Sequence, residues 1–429
     1  MDIRAWSALL IFAGVIILIA SGKIRSTTAT LLGASLMSIT GLVSGDQIVA
    51  SIDHNTVGLL VGMMIVVGIL SKCGLFQYVA VKAVKITRGR GRGVFILWSI
   101  SLITLLLSAL LDNVTTILLV TPVILSLCDL IGLSPLPLLM TESFASTIGG
   151  TGTLIGDPPN MIIGSIAGLS FNDFLKVMTP TALAVWILVT LFLSRIYRGE
   201  LKRVNSDATS RLNDVDETKL ITDRPLMYKA LTVVFFVLLA FVLQRQLHIE
   251  PSVSALTAAA VLLFITGIDD NLIIRDEVGW PTIIYFICLF VMGGGLRETG
   301  VISAVAQGMT RLFAGQHLLM ALGVLWVSGI ACIFINSAAF AAIFVYVVAE
   351  MVQATGMSPH PLYWALALGT CLGGNGTFLG AAANAVMAGL ARKNQIDISF
   401  GYFMGVGLRV VLISMAVSSV AVCLIWMYA

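Results

Sequence analysis

The chain has 429 residues, of which 58% are hydrophobic and only 11% charged, against roughly 25% charged in an ordinary soluble domain. That composition excludes a water-soluble globular protein: several stretches exceed the ~18 apolar residues that span a ~30 Å hydrocarbon core. The net charge of +3, six scattered cysteines and no CxxC or Cys/His spacing leave nucleic-acid binding, a zinc site and a disulfide frame without support.

Residues 5–22 are apolar, preceded by Asp2 and Arg4 and followed by no small-residue cleavage site. They predict a first transmembrane helix and not a removable signal peptide. Further helices are predicted at 27–44 and 56–71, then an amphipathic basic stretch ending at Arg92. Residues 94–131 are too long for one span and are interrupted by Asp112-Asn113. A broken segment at 138–168 and a helix at 177–197 complete the first half. The run 198–227, rich in Arg, Lys, Asp, Glu, Asn and Ser, reads as a solvated linker. The second half then predicts helices at 228–246, 252–268 and 279–296, an interrupted stretch at 318–355 with Asn336-Ser337 inside it, a broken segment at 362–391 and a last helix at 402–428.

The two halves are one unit written twice. Residues 132–160, GLSPLPLLMTESFASTIGGTGTLIGDPPN, align without a gap on 356–384, GMSPHPLYWALALGTCLGGNGTFLGAAAN, at a shift of 224. Each copy is apolar but broken by Gly, Thr, Asn and Pro that cannot continue a helix. Broken backbone at membrane depth is tolerated only where it is buried in protein or lines a cavity, and paired breaks in two halves point to a transporter's substrate site. The expected organisation is a first repeat at 1–197, a linker at 198–227 and a second repeat at 228–429. If 94–131 and 318–355 are re-entrant hairpins, each repeat has five crossings. Five is odd, so the repeats are inverted. One face then holds 19 of the 25 Lys and Arg, including Lys23, Arg25, the cluster from Lys72 to Arg92, the linker with its flanks, Arg275, Arg392 and Lys393. By the positive-inside rule that face, with the linker, is cytoplasmic in a plasma membrane.

Asp112, in LLDNVTTILL, is the sharpest chemical signal. An ionisable group inside a bilayer costs roughly 2.5–3.5 kcal/mol on insertion scales and usually faces a pathway. A carboxylate there can carry a proton, because an apolar medium penalises its charged form; the bland alternative is an Asp capping a half-helix. Asn113, Thr115 and Thr116 add neutral donors and acceptors, with Asn336 and Ser337 as weaker counterparts. Asp157, in GGTGTLIGDPPN, is a second candidate proton group whose partner in the other copy is Ala381. Glu142, Glu350 and Arg409 lie in apolar stretches and read first as structural pairs. Cys332 and Cys371 flank the second break and read first as apolar filler, with contact to a soft solute as the alternative.

LDNVTT, GGTGTLIGDPPN and GGNGTFLGAAAN together resemble the ion transporter superfamily over nearly the whole chain, closest to the branch of arsenite efflux pumps, bacterial sodium/proton antiporters and the melanosomal P protein. The resemblance implies an all-α polytopic membrane protein of two inverted repeats, each with a broken helix and a re-entrant hairpin, and a homodimer. It places solute binding at Asn113, Thr115, Thr116, Gly150, Thr151, Thr153, Asn160, Asn336, Ser337, Asn375, Thr377 and Asn384, with proton coupling at Asp112 and Asp157. It also implies a soluble arsenical-pump ATPase as a partner, and no cofactor. The chain lacks the Ser-Asn-Thr of the superfamily's dicarboxylate carriers and has no base beside either break. The expected function is export of arsenite or antimonite, as the neutral trihydroxide, in exchange for protons. The alternatives are a sodium/proton antiporter and, further off, another small-solute carrier or a channel; an enzyme is not expected.

Overall fold

The computed structural model describes residues 2–86, 93–202, 217–313 and 315–428. These form 22 α-helices, two 3-10 turns and no strand. The first half contains α1 (Ile3–Ala20), α2 (Ser26–Ile39), α3 (Gly45–Ser51), α4 (His54–Lys72), α5 (Leu75–Ile86), α6 (Gly93–Ser108), α7 (Asn113–Ile131), α8 (Leu136–Thr151), α9 (Pro158–Ala167) and α10 (Phe171–Ile196). After the single turn α11 (Arg198–Leu201), the second half gives α12 (Arg224–Val242), α13 (Gln244–Leu247), α14 (Pro251–Thr266), α15 (Asp270–Asp276), α16 (Trp280–Glu298) and α17 (Val301–Leu312). It ends with α18 (His317–Phe334), α19 (Ser337–Thr355), α20 (His360–Gly373), α21 (Ala382–Lys393) and α22 (Phe400–Tyr428). Eight of these helices are long and apolar enough to span a membrane. Setting aside α11 and α13, the two halves correspond helix for helix. The fold is all-α and polytopic, with two inverted repeats.

The sequence explains most boundaries. α10 begins at Phe171, six residues before the predicted 177, because Ser170 and Asp173 form a capping box, with Ser170 N donating to Asp173 Oδ2 at 2.8 Å. Pro158 and Pro159 occupy the first turn of α9, where a missing N–H costs nothing. The short helices α3 and α15 were not signalled by the hydrophobic pattern. Of the linker, 203–216 lie outside the described residues, as do 87–92 of the basic cluster; its far end is a 3-10 turn at Glu217–Leu220.

Each interrupted stretch is a helical hairpin: α6 with α7, and α18 with α19. Its first arm lies along the broken helix of its own half, α6 on α8 and α18 on α20. The contact is backbone to backbone. A Cβ added at Gly149 would sit 2.8 Å from the Cα of Leu105, and one at Gly373 would sit 2.8 Å from the Cα of Gly329. The second arm crosses to the other half, α7 onto α21 and α19 onto α9. Around this centre the halves also exchange α4 onto α14 and α2 onto α16.

The inversion has a direct test. Ser134 and Ser358 are repeat mates just beyond Gly132 and Gly356, which end α7 and α19 in the left-handed conformation (φ 67° and 64°) and so are best left unaltered. Ser134→Cys and Ser358→Cys are expected to react with a membrane-impermeant maleimide from opposite faces. Labelling of both from one face would remove the inverted arrangement.

Candidate transport site

Four helices begin around one cavity of about 440 Å³. Its wall includes Asp112 to Thr115 at the start of α7, Asp157 and Pro158 at α9, Asn336 to Ala338 at α19, and Ala381 to Ala383 at α21. Ser26 and Thr27 of α2 and Glu277 and Gly279 before α16 also line it. The cavity therefore runs from mid-membrane toward the face that carries Lys23, Arg25, Lys72 and the linker. Among the described residues its titratable lining is Asp112, Asp157, Glu277 and Tyr285, without a Lys or Arg.

Asp112 is half-buried and caps α7. Its Oδ1 accepts from Val114 N and Thr115 N, each at 3.0 Å, and its Oδ2 accepts from the Thr115 hydroxyl. Asn336 does the same for α19, accepting from Ala338 N at 3.1 Å and Ala339 N at 3.3 Å, and it also accepts from the Tyr285 hydroxyl. Capping and a place on the cavity wall thus coexist in one residue. Asn113 is nearly buried; its Oδ1 accepts from Ser108 Oγ at 2.6 Å and its side chain meets the Asp157 carboxylate. Asp157 is 4% exposed, stands at the N-cap of α9 without capping it, and contacts Asn113 and Cys371.

The breaks are closed by side chains. Asn160 Nδ2 donates to the carbonyls of Gly150, Thr151 and Thr153 at 3.3, 3.1 and 2.9 Å. Asn384 Nδ2 donates to those of Gly374 and Thr377 at 3.0 and 3.1 Å. The Oδ1 atoms tie the repeats together: that of Asn160 accepts from Cys371 Sγ at 3.3 Å, that of Asn384 from Ser143 Oγ at 2.8 Å. Thr153 and Thr377 each reach back to a hairpin, donating to Ala109 O at 2.6 Å and Ile333 O at 2.5 Å. Thr151 bonds within its own helix, to Thr147 O at 2.8 Å. Gly150 is buried where any side chain would meet Asn113 and Gly156.

Ser337 lines the cavity, while Thr116 and Asn375 are buried and are not among its lining residues. Neither the Thr116 hydroxyl nor either polar atom of the Asn375 amide has a hydrogen-bond partner among the described residues. Glu142 is fully buried against Thr121, which donates to its two oxygens at 3.0 and 2.9 Å; Glu350 accepts from Ser303, and Arg409 lies on the exposed face of α22. Glu277, Tyr285 and Thr282 join the lining without a sequence signal, because 269–282 reads as an ordinary polar loop and helix start. Their positions follow only from the packing of α4 on α14 and α2 on α16.

The citrate transporter model, CitMHS, matches residues 16–369 of this sequence. The chain belongs to the CitMHS family. An uncharacterized transporter of Mycobacterium tuberculosis is 39% identical over 419 residues, covering 96% of each protein. The P protein of Mus musculus is 31% identical across 95% of this chain and 59% of its own length. Among solved structures, the YdaH transporter of Alcanivorax borkumensis, described as having an unusual topology, superposes with a TM-score of 0.57 over 89% of each chain at 16% identity, a likeness of fold alone. This CitMHS member is therefore a multi-pass membrane transporter.

Stability separates Asn375 from Asn160 and Asn384, all three fully buried. Asn160→Ala and Asn384→Ala strand buried carbonyls, each worth about 1–3 kcal/mol when left unmade, so both variants are expected to melt at lower temperature in detergent. Asn375→Ala removes an amide with no partner among the described residues and is expected to melt no lower than the parent. Equal losses at all three would contradict these assignments.

Proposed function

We propose that this chain is a secondary carrier that exports a small neutral polyhydroxy solute, arsenous or antimonous trihydroxide, in exchange for protons. The observation that carries this is the charge of the cavity. Among the described residues three carboxylates line it and no Lys or Arg does, and one of the three, Glu277, is held by Lys72 at 3.3 Å. Asp112 and Asp157 remain to take protons. A free polyanion would meet two like charges with no counter-charge, whereas a neutral trihydroxide finds acceptors in the carboxylates and donors at the second repeat. There, α19 and α21 begin at Asn336 and Ala381, whose neutral side chains bring no opposing charge to the helix N-termini, and the groups able to donate are the Asn336 amide, the Ser337 hydroxyl and the uncapped start of α21.

The same two N-termini favour a second assignment, in keeping with the family's description: an organic acid carried together with protons or a cation. The first-repeat acids would then hold the cation and the second-repeat helix ends the carboxylate. A sodium-binding break has less in its favour, because the carbonyls freed in each break are taken by Asn160 and Asn384. The proposal includes a homodimer in the plasma membrane, with residues 198–227 cytoplasmic.

Everted vesicles distinguish these assignments. Arsenite is expected to accumulate when a pH gradient is imposed, with parallel arms for citrate and sodium. Asp112→Asn preserves the cap, as the native Asn336 does for α19, and removes only the titration. It and Asp157→Asn are each expected to lower gradient-driven uptake about 5–150-fold, the usual size of a coupling free energy. Citrate or sodium flux without arsenite flux would overturn the proposal.

A further inference from the structure

Glu277 stands where the cavity meets the face that carries the linker, and its setting is more specific than a surface ion pair. Its carboxylate is 3.3 Å from Lys72 Nζ, with side-chain exposures of 27% and 39%. The pair joins the two repeats, because Lys72 ends α4 and Glu277 follows α15. The stem of Glu277 lies across Gly68 of α4, where an added Cβ would come 2.7 Å from Glu277 Cγ. The far end of the linker holds the other partner's backbone: Thr222 Oγ1 donates to Lys72 O at 2.8 Å and Thr222 N to Cys73 O at 3.1 Å. The neighbouring Asp276 is engaged by Arg275 at 2.8 Å, which leaves Glu277 as the carboxylate that answers Lys72.

The other repeat has the same seat with different chemistry. Shifted by 226, Gly68 becomes Gly294, Glu277 becomes Ser51 and Lys72 becomes Glu298. An added Cβ at Gly294 would come 2.9 Å from Ser51 Cβ, so the glycine seat is occupied there too. Ser51 is buried and donates to its own helix, at Gln47 O, 2.7 Å. One seam between the repeats is thus closed by a neutral, buried serine and the other by a solvent-reachable ion pair. Its acidic member, Glu277, is on the cavity wall.

We infer that Lys72 and Glu277 form an ionic gate at the linker-side mouth of the cavity. Joined, they narrow the passage between α4 and the start of α16 and neutralise the outermost carboxylate. Parted, they widen it and expose Glu277 as the first group to attract a cation or proton donor. The gate gives the two faces of a duplicated fold different access. It rests on the cavity being the transport site.

Accessibility tests it without any transport measurement, so failure of the arsenite assay and failure of the gate are separate results. A reporter cysteine, Ala382→Cys on the cavity wall, is labelled with an impermeant maleimide from the linker face of oriented vesicles, against the parent chain without the reporter. Lys72→Met and Glu277→Gln are each expected to speed labelling several-fold. The charge swap, Lys72→Glu with Glu277→Lys, is expected to return it to the parental rate. Raising ionic strength is expected to speed labelling of the reporter chain and not of its Lys72→Met form, because salt screens a half-exposed pair. Unchanged rates in the single variants, or a swap as fast as they are, would overturn the gate. Where a variant fails to fold, the salt series on the reporter chain decides, and a flat response overturns it.

Discussion

Two helices stop inside the membrane, and everything at the centre depends on what becomes of the carbonyls they leave open. The break residues Thr151, Asn160, Thr377 and Asn384 are fully buried, and an unsatisfied polar group in an apolar interior costs several kcal/mol. Asn160 and Asn384 answer that cost from one turn inside the half-helix that follows each break, each reaching back to the end of the helix before it. Thr153 and Thr377 then tie the loops to the hairpins, and Gly149 and Gly373 let the hairpin backbone come close enough for those bonds to form. With the breaks closed by the protein itself, four helix N-termini are free to face one cavity.

The frame is symmetric and the charge is not. Each of the three cavity carboxylates has a neutral repeat mate: Asp112 has Asn336, Asp157 has Ala381, and Glu277 has Ser51. The symmetric residues, chiefly Asn, Thr and Gly, hold the backbone; the asymmetric ones are those that can titrate or pair. Duplication thus supplies a geometry shared by both halves, and a few substitutions make their charges differ.

The breaks and hairpin tips were legible because Gly, Pro, Asn and Thr interrupt long apolar runs, and because the interruption occurs twice at one spacing. What a single sequence does not encode is which way a polar side chain turns. Asn160 and Asn384 match any expectation of a solute-facing amide, yet their Nδ2 atoms point into the breaks. Asn375 lies on Thr151 in the repeat alignment, and Thr151 bonds to its own helix while the longer Asn375 amide has no partner among the described residues. Glu277 was illegible for another reason. It follows DDNLIIRD, a solvated run by composition, and only the exchange of helices between halves brings it to the cavity. α10 started early because its signal is a capping box and not hydrophobicity.

On the proposed function, capping and proton carriage at Asp112 are one device. As a carboxylate it accepts from Val114 N, Thr115 N and the Thr115 hydroxyl together. A proton on it weakens it as an acceptor and loosens the first turn of α7, which leans on α21 of the opposite repeat. An N-cap is worth about 1 kcal/mol, and coupling free energies run at about 1–3 kcal/mol. The cap is therefore of the right size to convert protonation into a shift of the hairpin tip against the other half. Asn336, capping α19 with an oxygen that does not titrate, holds the opposite tip at one strength at every pH. On the proposed function, the proton acts on one hairpin, the solute sits against the helix ends of the other, and the two meet through a contact that a single carboxylate controls.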